Sequence, residues 1–203
     1  MAGQGLDYAE MVERRGFMSN KKGRLFIVSA PSGTGKSTVI SYIIKRRKDI
    51  ALSISATTRP PRDGEKDGVS YHFVTRERFQ EMIGRGDFFE YAEYVGEFYG
   101  TPKIPIFECV ESGKDVILEI EIQGAKQIME KEPDAVSIFI VPPSMDELER
   151  RLRGRGTDSE EKLVARLQRA ASELLEQDRY HHVIVSMTVP QTAKEIMQII
   201  DNA

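Results

Sequence analysis

The chain has 203 residues, enough for one well-buried core with a smaller inserted lobe and too few for two independent large domains. It is 40% hydrophobic and 30% charged, and no run approaches the ~18 to 20 apolar residues that span a bilayer, which excludes a membrane-inserted class. A net charge of −3 provides no global attraction to nucleic acid or anionic lipid, so neither is expected as a partner, and any phosphate recognition must come from local clusters of Arg and Lys.

Residues 1–22 are polar, carry acids and lack sustained periodicity, so they read as a flexible extension, neither a secretory signal nor a transit peptide. A cytoplasmic location is the default expectation. From Arg24 to Ala30 a short apolar run predicts a strand, and Val39, Ile40, Ile43 and Ile44 then stand at helical spacing between Lys36 and Lys48. The alternation returns as DVILEI (115–120), QGAKQIMEKE (123–132), AVSIFIV (135–141), a helix from Met145 to about Arg153, a longer helix near 160–177, HVIVS (182–186) and a last helix near 190–201. Almost wholly apolar strands alternating with helices predict an α/β fold whose parallel sheet is covered on both faces.

Ser144 and Glu147 form a candidate capping box, and Gly154 is placed to end that helix in a left-handed conformation. Leu163, Leu167, Ala170 and Leu174 make one apolar stripe, and Ala193, Ile196, Met197 and Ile200 another. Between about Ser53 and Lys103 the rhythm changes to Gly, Tyr, Phe and Thr, which predicts a small β-rich insertion with one helix at about Arg76 to Gly84. The lone Cys109 cannot form an internal disulfide and reads as a small buried hydrophobe. His181 and His182 have no carboxylate or cysteine partners nearby in sequence and read as loop residues.

After the first strand come Ala30, Pro31, Ser32, Gly33, Thr34, Gly35, Lys36, Ser37 and Thr38, matching the pattern GxxxxGK[ST] except that Ala30 replaces its first glycine. Gly33 and Gly35 let successive N–H groups face an anion, and the following helix directs its positive end at the same point. Lys36 would reach the β- and γ-phosphates of ATP, and the Ser37 hydroxyl would ligate magnesium. Strand, loop and helix stand in the required order.

Arg59 and Arg62, three apart in a Pro-bounded loop, can offer two guanidinium forks to one phosphate dianion, and Tyr71 and Tyr99 can each add a phenolic hydrogen bond. The bland alternative is a solvated basic turn beside two packed tyrosines. These residues lie in SISATTRPPR (53–62), DGEKDGVSY (63–71), FFEYA (88–92) and YGT (99–101), segments that closely resemble the GMP-binding region of guanylate kinases. With the phosphate loop and the later RGRGTDSEE, the resemblance covers about residues 24 to 200.

The resemblance implies a phosphate-loop NTPase core (23–52 and 104–203), a GMP-binding insertion (53–103) and an ATP lid (about 153–162). It implies transfer of the γ-phosphoryl group of ATP to GMP, with Mg2+ as cofactor. Arg59, Arg62, Tyr71 and Tyr99 would hold the GMP phosphate. Glu90 would accept from guanine N1–H and N2–H2, with Ser55 and Thr101 near O6; alone in FFEYAEY, the same glutamate would read as a surface charge. Where the family commonly has an aspartate pair, this chain has Glu119 and Glu121, each one methylene longer. Glu119 is assigned to the magnesium water shell and Glu121 to the guanine amino group. Arg151, Arg155 and Arg166 would spread over the triphosphate and the migrating group. After the final strand the chain carries Ser186 and Met187 where the family usually has Asn-Asp, at the expected adenine end and where the last helix needs a cap. The rivals are a kinase for another mononucleotide and a catalytically silent phosphopeptide-binding module; self-association is left open.

Overall fold

The computed structural model describes residues 22–94, 96–154 and 159–203. The extension predicted over 1–22 therefore lies outside the described residues except for Lys22, and Arg155, with the centre of the predicted lid, lies outside them too. In chain order the elements are β1 (Leu25–Ser29), α1 (Lys36–Arg46), β2 (Ile50–Leu52), β3 (Ala56–Thr57), β4 (His72–Phe73), α2 (Arg76–Gly84), β5 (Phe88–Tyr94) and β6 (Glu97–Pro102). They continue with α3 (Lys103–Glu111), β7 (Asp115–Glu119), α4 (Ile122–Lys131), β8 (Val136–Val141), α5 (Met145–Arg153), α6 (Glu160–Leu174), β9 (His182–Val185) and α7 (Val189–Asn202).

Five strands form a wholly parallel sheet in the order β2-β7-β1-β8-β9. Alternation along β1 explains why its sequence is apolar throughout. Phe26 and Val28 pack on one face with Val39, Ile40 and Ile43 of α1 and Ala193, Ile196 and Ile200 of α7. Ile27 faces the other way, into a cluster with Ile106 of α3 and Ile122, Ala125 and Ile128 of α4. Both faces of the central strand are thus buried, and each strand's C-terminal end feeds a loop at the same edge.

A second, four-stranded sheet runs β4-β3-β6-β5. It is mixed, with β3 and β4 parallel and β6 antiparallel to both of its neighbours, and its register shifts between Phe88 and Tyr91. Phe79 of α2 is fully buried and stacks between Phe88 at 4.5 Å and Phe98 at 5.4 Å, giving this lobe its own small core. Helix α2 covers the span the pattern predicts, with the Thr75 side chain accepting from the Arg78 N–H at its start.

Local chemistry corrects several expectations. Gly154 follows α5 in a right-handed conformation (φ −62°), not a left-handed one. Ser144 accepts from the Glu147 N–H at 3.1 Å, but the reciprocal half of the box is replaced: the Glu147 carboxylate is taken by Arg150 and Arg151. Thr188, not Ser186 or Met187, caps α7 through the Gln191 N–H. His182 opens β9, and the His181 ring accepts from the Ser137 N–H at 3.1 Å. The long helix near 160–177 stops at Leu174. Helix α3 and strand β2 have no counterpart in the sequence reading; Pro105 sits in the first turn of α3, where its missing N–H breaks no helical bond.

Candidate active site

The loop between β1 and α1 turns through two left-handed glycines, Gly33 (φ 93°) and Gly35 (φ 95°). At Gly33 a second constraint applies: a Cβ there would stand 2.6 Å from Leu152 Cδ2, a buried side chain of α5. Thr34 closes the turn on itself, its hydroxyl donating to the Pro31 carbonyl at 2.7 Å. Helix α1 has no side-chain cap and no acid in its first turn, so its leading N–H groups and positive end are left to face an anion. The Lys36 ammonium donates to the Ile120 carbonyl at 3.0 Å, and desolvation pulls its pKa down against the opposing charges of Glu119, Glu121 and Glu173.

This loop is one wall of a cleft of about 980 Å³. From the loop, Ala30, Pro31, Ser32, Gly33, Gly35, Lys36, Ser37 and Thr38 line it; Thr34 is buried behind them. Ser55, Arg62 and Tyr71 line it from the second-sheet lobe, Glu119 from the end of β7, Glu121 from the residue before α4, and Arg166 from α6. Residues remote in sequence are therefore brought to one edge of the parallel sheet. The Ser37 hydroxyl donates to the Glu119 carboxylate at 2.5 Å, and two hard oxygen donors converging at the cleft fit Mg2+.

Arg59, Glu90, Tyr99, Thr101 and Arg151 do not line this cleft. Arg59 stands behind Tyr71, its guanidinium carbon 5.5 Å from the ring centroid, and Tyr71 meets Tyr99 edge-on at 6.1 Å. Burial works against the Arg59 charge, but hydrogen bonds to Glu65 and Tyr99 outweigh it and raise the pKa. Glu90 is buried on β5, and its Oε1 accepts from the Thr101 hydroxyl at 2.5 Å. Desolvation raises the Glu90 pKa, partly offset by Thr101. Arg151 donates to Glu147 at 2.7 Å, to the Thr34 carbonyl at 3.2 Å and to the Ser186 carbonyl at 2.9 Å, so it braces the loop from behind.

Several contributors escaped the sequence reading. Glu65 accepts from both Arg59 Nη2 (2.9 Å to Oε1) and the Arg62 N–H (2.8 Å to Oε2), joining the two arginine positions of the Pro-bounded loop. Lys162, Arg169 and Glu173 line the cleft from α6 beside Arg166. Their numbers, 162, 166, 169 and 173, mark one helical face that flanks the apolar stripe, each residue standing one position before Leu163, Leu167, Ala170 or Leu174, and that spacing is the signal the sequence carries. Arg169 donates to Glu121 at 2.9 Å and to Glu173 at 2.8 Å, tying α6 to the start of α4.

Comparison with known proteins agrees with this geometry. The guanylate kinase family model matches residues 22–203. A guanylate kinase of Sphingopyxis alaskensis is 50% identical over 182 residues, spanning 89% of this chain and 83% of that protein. One from Prochlorococcus marinus subsp. pastoris is 49% identical over 183 residues, spanning 90% of this chain and 99% of that one. The crystal structure of guanylate kinase from Anaplasma phagocytophilum superposes with a TM-score of 0.74 at 37% identity, covering 92% of this chain and 88% of that one. The chain belongs to the guanylate kinase family.

Proposed function

We propose that the protein transfers the γ-phosphoryl group of ATP to GMP, and to dGMP, giving GDP or dGDP and ADP in purine nucleotide metabolism. The observation that carries this reading is the cleft itself: a phosphate loop with its Lys and Ser on one wall, and Ser55, Arg62 and Tyr71 of a separate lobe on the other. Two phosphate-binding surfaces facing one space suit a donor and an acceptor nucleotide held end to end.

In this reading the loop N–H groups and Lys36 bind the β- and γ-phosphates of ATP, and Arg166 approaches from α6, where it already donates to Ser32 of the loop at 2.7 Å. Arg59, Arg62, Tyr71 and Tyr99 hold the GMP phosphate, with Glu65 orienting the Arg59 guanidinium and anchoring the Arg62 backbone. Glu90 accepts from guanine N1–H and N2–H2, Ser55 and Thr101 stand by O6, and Glu121 meets the amino group. Ser37 and, through water, Glu119 would hold Mg2+, whose charge when bound neutralises phosphate oxygens. Arg151 contributes by keeping the loop in shape. No protein nucleophile is needed, because the GMP phosphate is itself nucleophilic at neutral pH and the task is alignment, water exclusion and charge neutralisation.

No helix among the described residues is long and apolar enough to cross a membrane; a cytoplasmic location is part of the proposal. The deciding experiment is a coupled assay with ATP and, in turn, GMP, AMP, CMP, UMP and dTMP. GMP should be the preferred acceptor by orders of magnitude. Equal use of AMP would refute the guanine assignment, and binding of GMP without turnover would favour a binding module.

A further inference from the structure

Glycine inside a helix is unfavourable relative to alanine, because it adds chain entropy and contributes no side chain. Gly124 nevertheless occupies the first turn of α4, buried, beside the well-packed Ala125. What it faces explains its size. A Cβ built on Gly124 would stand 2.6 Å from Glu90 Oε2, 2.8 Å from Glu90 Cδ and 3.1 Å from Glu90 Cγ. All three of its nearest neighbours belong to this one side chain.

Glu90 has little freedom to yield. Its other oxygen is held by the buried Thr101 hydroxyl at 2.5 Å. The helix has little freedom either: the Lys131 ammonium, at its far end, donates to the Phe89 carbonyl at 2.7 Å, pinning α4 along β5. The preceding residue, Phe89, is 1% exposed in the core shared with Ile122, Ala125 and Ile128 of the same helix. A carboxylate is thus clamped between a hydroxyl on β6 and a bare stretch of helix backbone, and a methyl group on the helix side must displace it.

We infer that Gly124 is a specificity-determining positioning residue: by lacking a side chain it admits the Glu90 carboxylate to the place from which that group reads the acceptor base. The inference rests on the reading of Glu90 as the guanine-recognising acid. It adds that the helix behind the carboxylate, and not only the hydroxyl beside it, sets where its oxygens lie.

The test is a kinetic double-mutant cycle of Gly124→Ala and Glu90→Ala, with GMP and IMP as alternative acceptors, since IMP lacks the 2-amino group. Gly124→Ala should lower kcat/KM for GMP by about tenfold or more, as a misplaced acceptor loses desolvated donors. KM for ATP should stay within about twofold, because a donor site untouched by the change keeps its uniform binding energy. The GMP-over-IMP preference should shrink, a readout that a general packing defect would not move. In the Glu90→Ala background the added methyl has room, and Gly124→Ala should have no further effect on GMP.

Loss of GMP efficiency in Glu90→Ala but not in Gly124→Ala would overturn the inference and leave the Glu90 reading intact. A Gly124→Ala effect that persists undiminished in the Glu90→Ala background would overturn it as well. Unchanged GMP kinetics in Glu90→Ala would instead remove Glu90 from the site, and the inference with it. Should Gly124→Ala fail to fold, the double variant decides: recovery of a folded protein supports the clash with Glu90 as the cause, and continued misfolding overturns it.

Discussion

The Ser186 hydroxyl donates to the main-chain carbonyl of Thr34 at 3.0 Å, joining the end of the last strand to the middle of the phosphate loop. Arg151 donates to the same carbonyl at 3.2 Å and to the Ser186 hydroxyl at 3.3 Å. The position at which this chain departs from the usual Asn therefore supports the loop's shape. Removing the hydroxyl by Ser186→Ala leaves Arg151 on the carbonyl, so the loss should be about 1 kcal/mol and a Tm decrease of about 2–4 °C. KM for ATP should rise several-fold while KM for GMP holds. Steady-state kinetics in both substrates check this; a GMP-specific defect would contradict the support role.

Lys36 carries a desolvated charge whose chief protein partner in the structure is the Ile120 carbonyl. Substituting Met removes the cation but keeps the aliphatic stem, so the fold should be retained with Tm unchanged or higher. The transferred group loses a stabilising charge, and kcat should fall on the order of a thousandfold. GMP binding measured by calorimetry should be nearly normal. A folded variant with ordinary turnover would detach this loop from the chemistry.

Glu90 should trade stability for recognition. Because burial raises its folded-state pKa, the folded protein holds this proton more tightly than the unfolded chain does. Stability from this group is therefore greatest below the unfolded carboxylate pKa and declines as pH rises through the raised folded value. Glu90→Gln cannot ionise, so its Tm should gain on the parent as pH rises above the ordinary carboxylate range. Over the same series its kcat/KM for GMP should be lower by about ten- to a hundredfold, with KM for ATP unchanged. Paired melting curves and kinetics separate this from a surface glutamate, for which neither quantity would change.

Glu147 shows the opposite sign. Hydrogen bonds from Arg150 and Arg151 lower its pKa from 4.5 to about 2. Its stabilising contribution is complete above the unfolded value and disappears as pH falls from about 4.5 to about 2. Glu147→Gln should therefore melt below the parent at neutral pH and converge with it in acid. High salt should narrow the neutral-pH gap, since the pair with Arg150 is exposed and screened. A gap insensitive to both pH and salt would assign the effect to packing instead.

Much of the molecule is legible in the sequence. The period of apolar residues marked most of the helices and the parallel strands, because a strand buried on both faces must be apolar throughout and a helix on its surface must carry a stripe. The phosphate loop was readable because its chemistry is local: two left-handed glycines, a lysine and a serine lie within one turn of chain. Helix α3 was obscured because Pro105 reads as a breaker unless its first-turn position is known, and β2 because three residues carry no period.

The chain's own residues, in order, thus determined the fold class, the anion-binding loop and the arginines and acids available to a nucleotide. Tertiary structure alone decided which groups meet. Sequence spacing cannot reveal that Arg151 turns away from the cleft to hold the Thr34 carbonyl, or that Arg169 of α6 reaches Glu121 at the start of α4. Nor can it show that Gly124 is bare because Glu90 lies against it. Those are close contacts between segments far apart in the chain, set by how helices pack on two sheets, and a side chain's partner is fixed only when the packing brings both ends together.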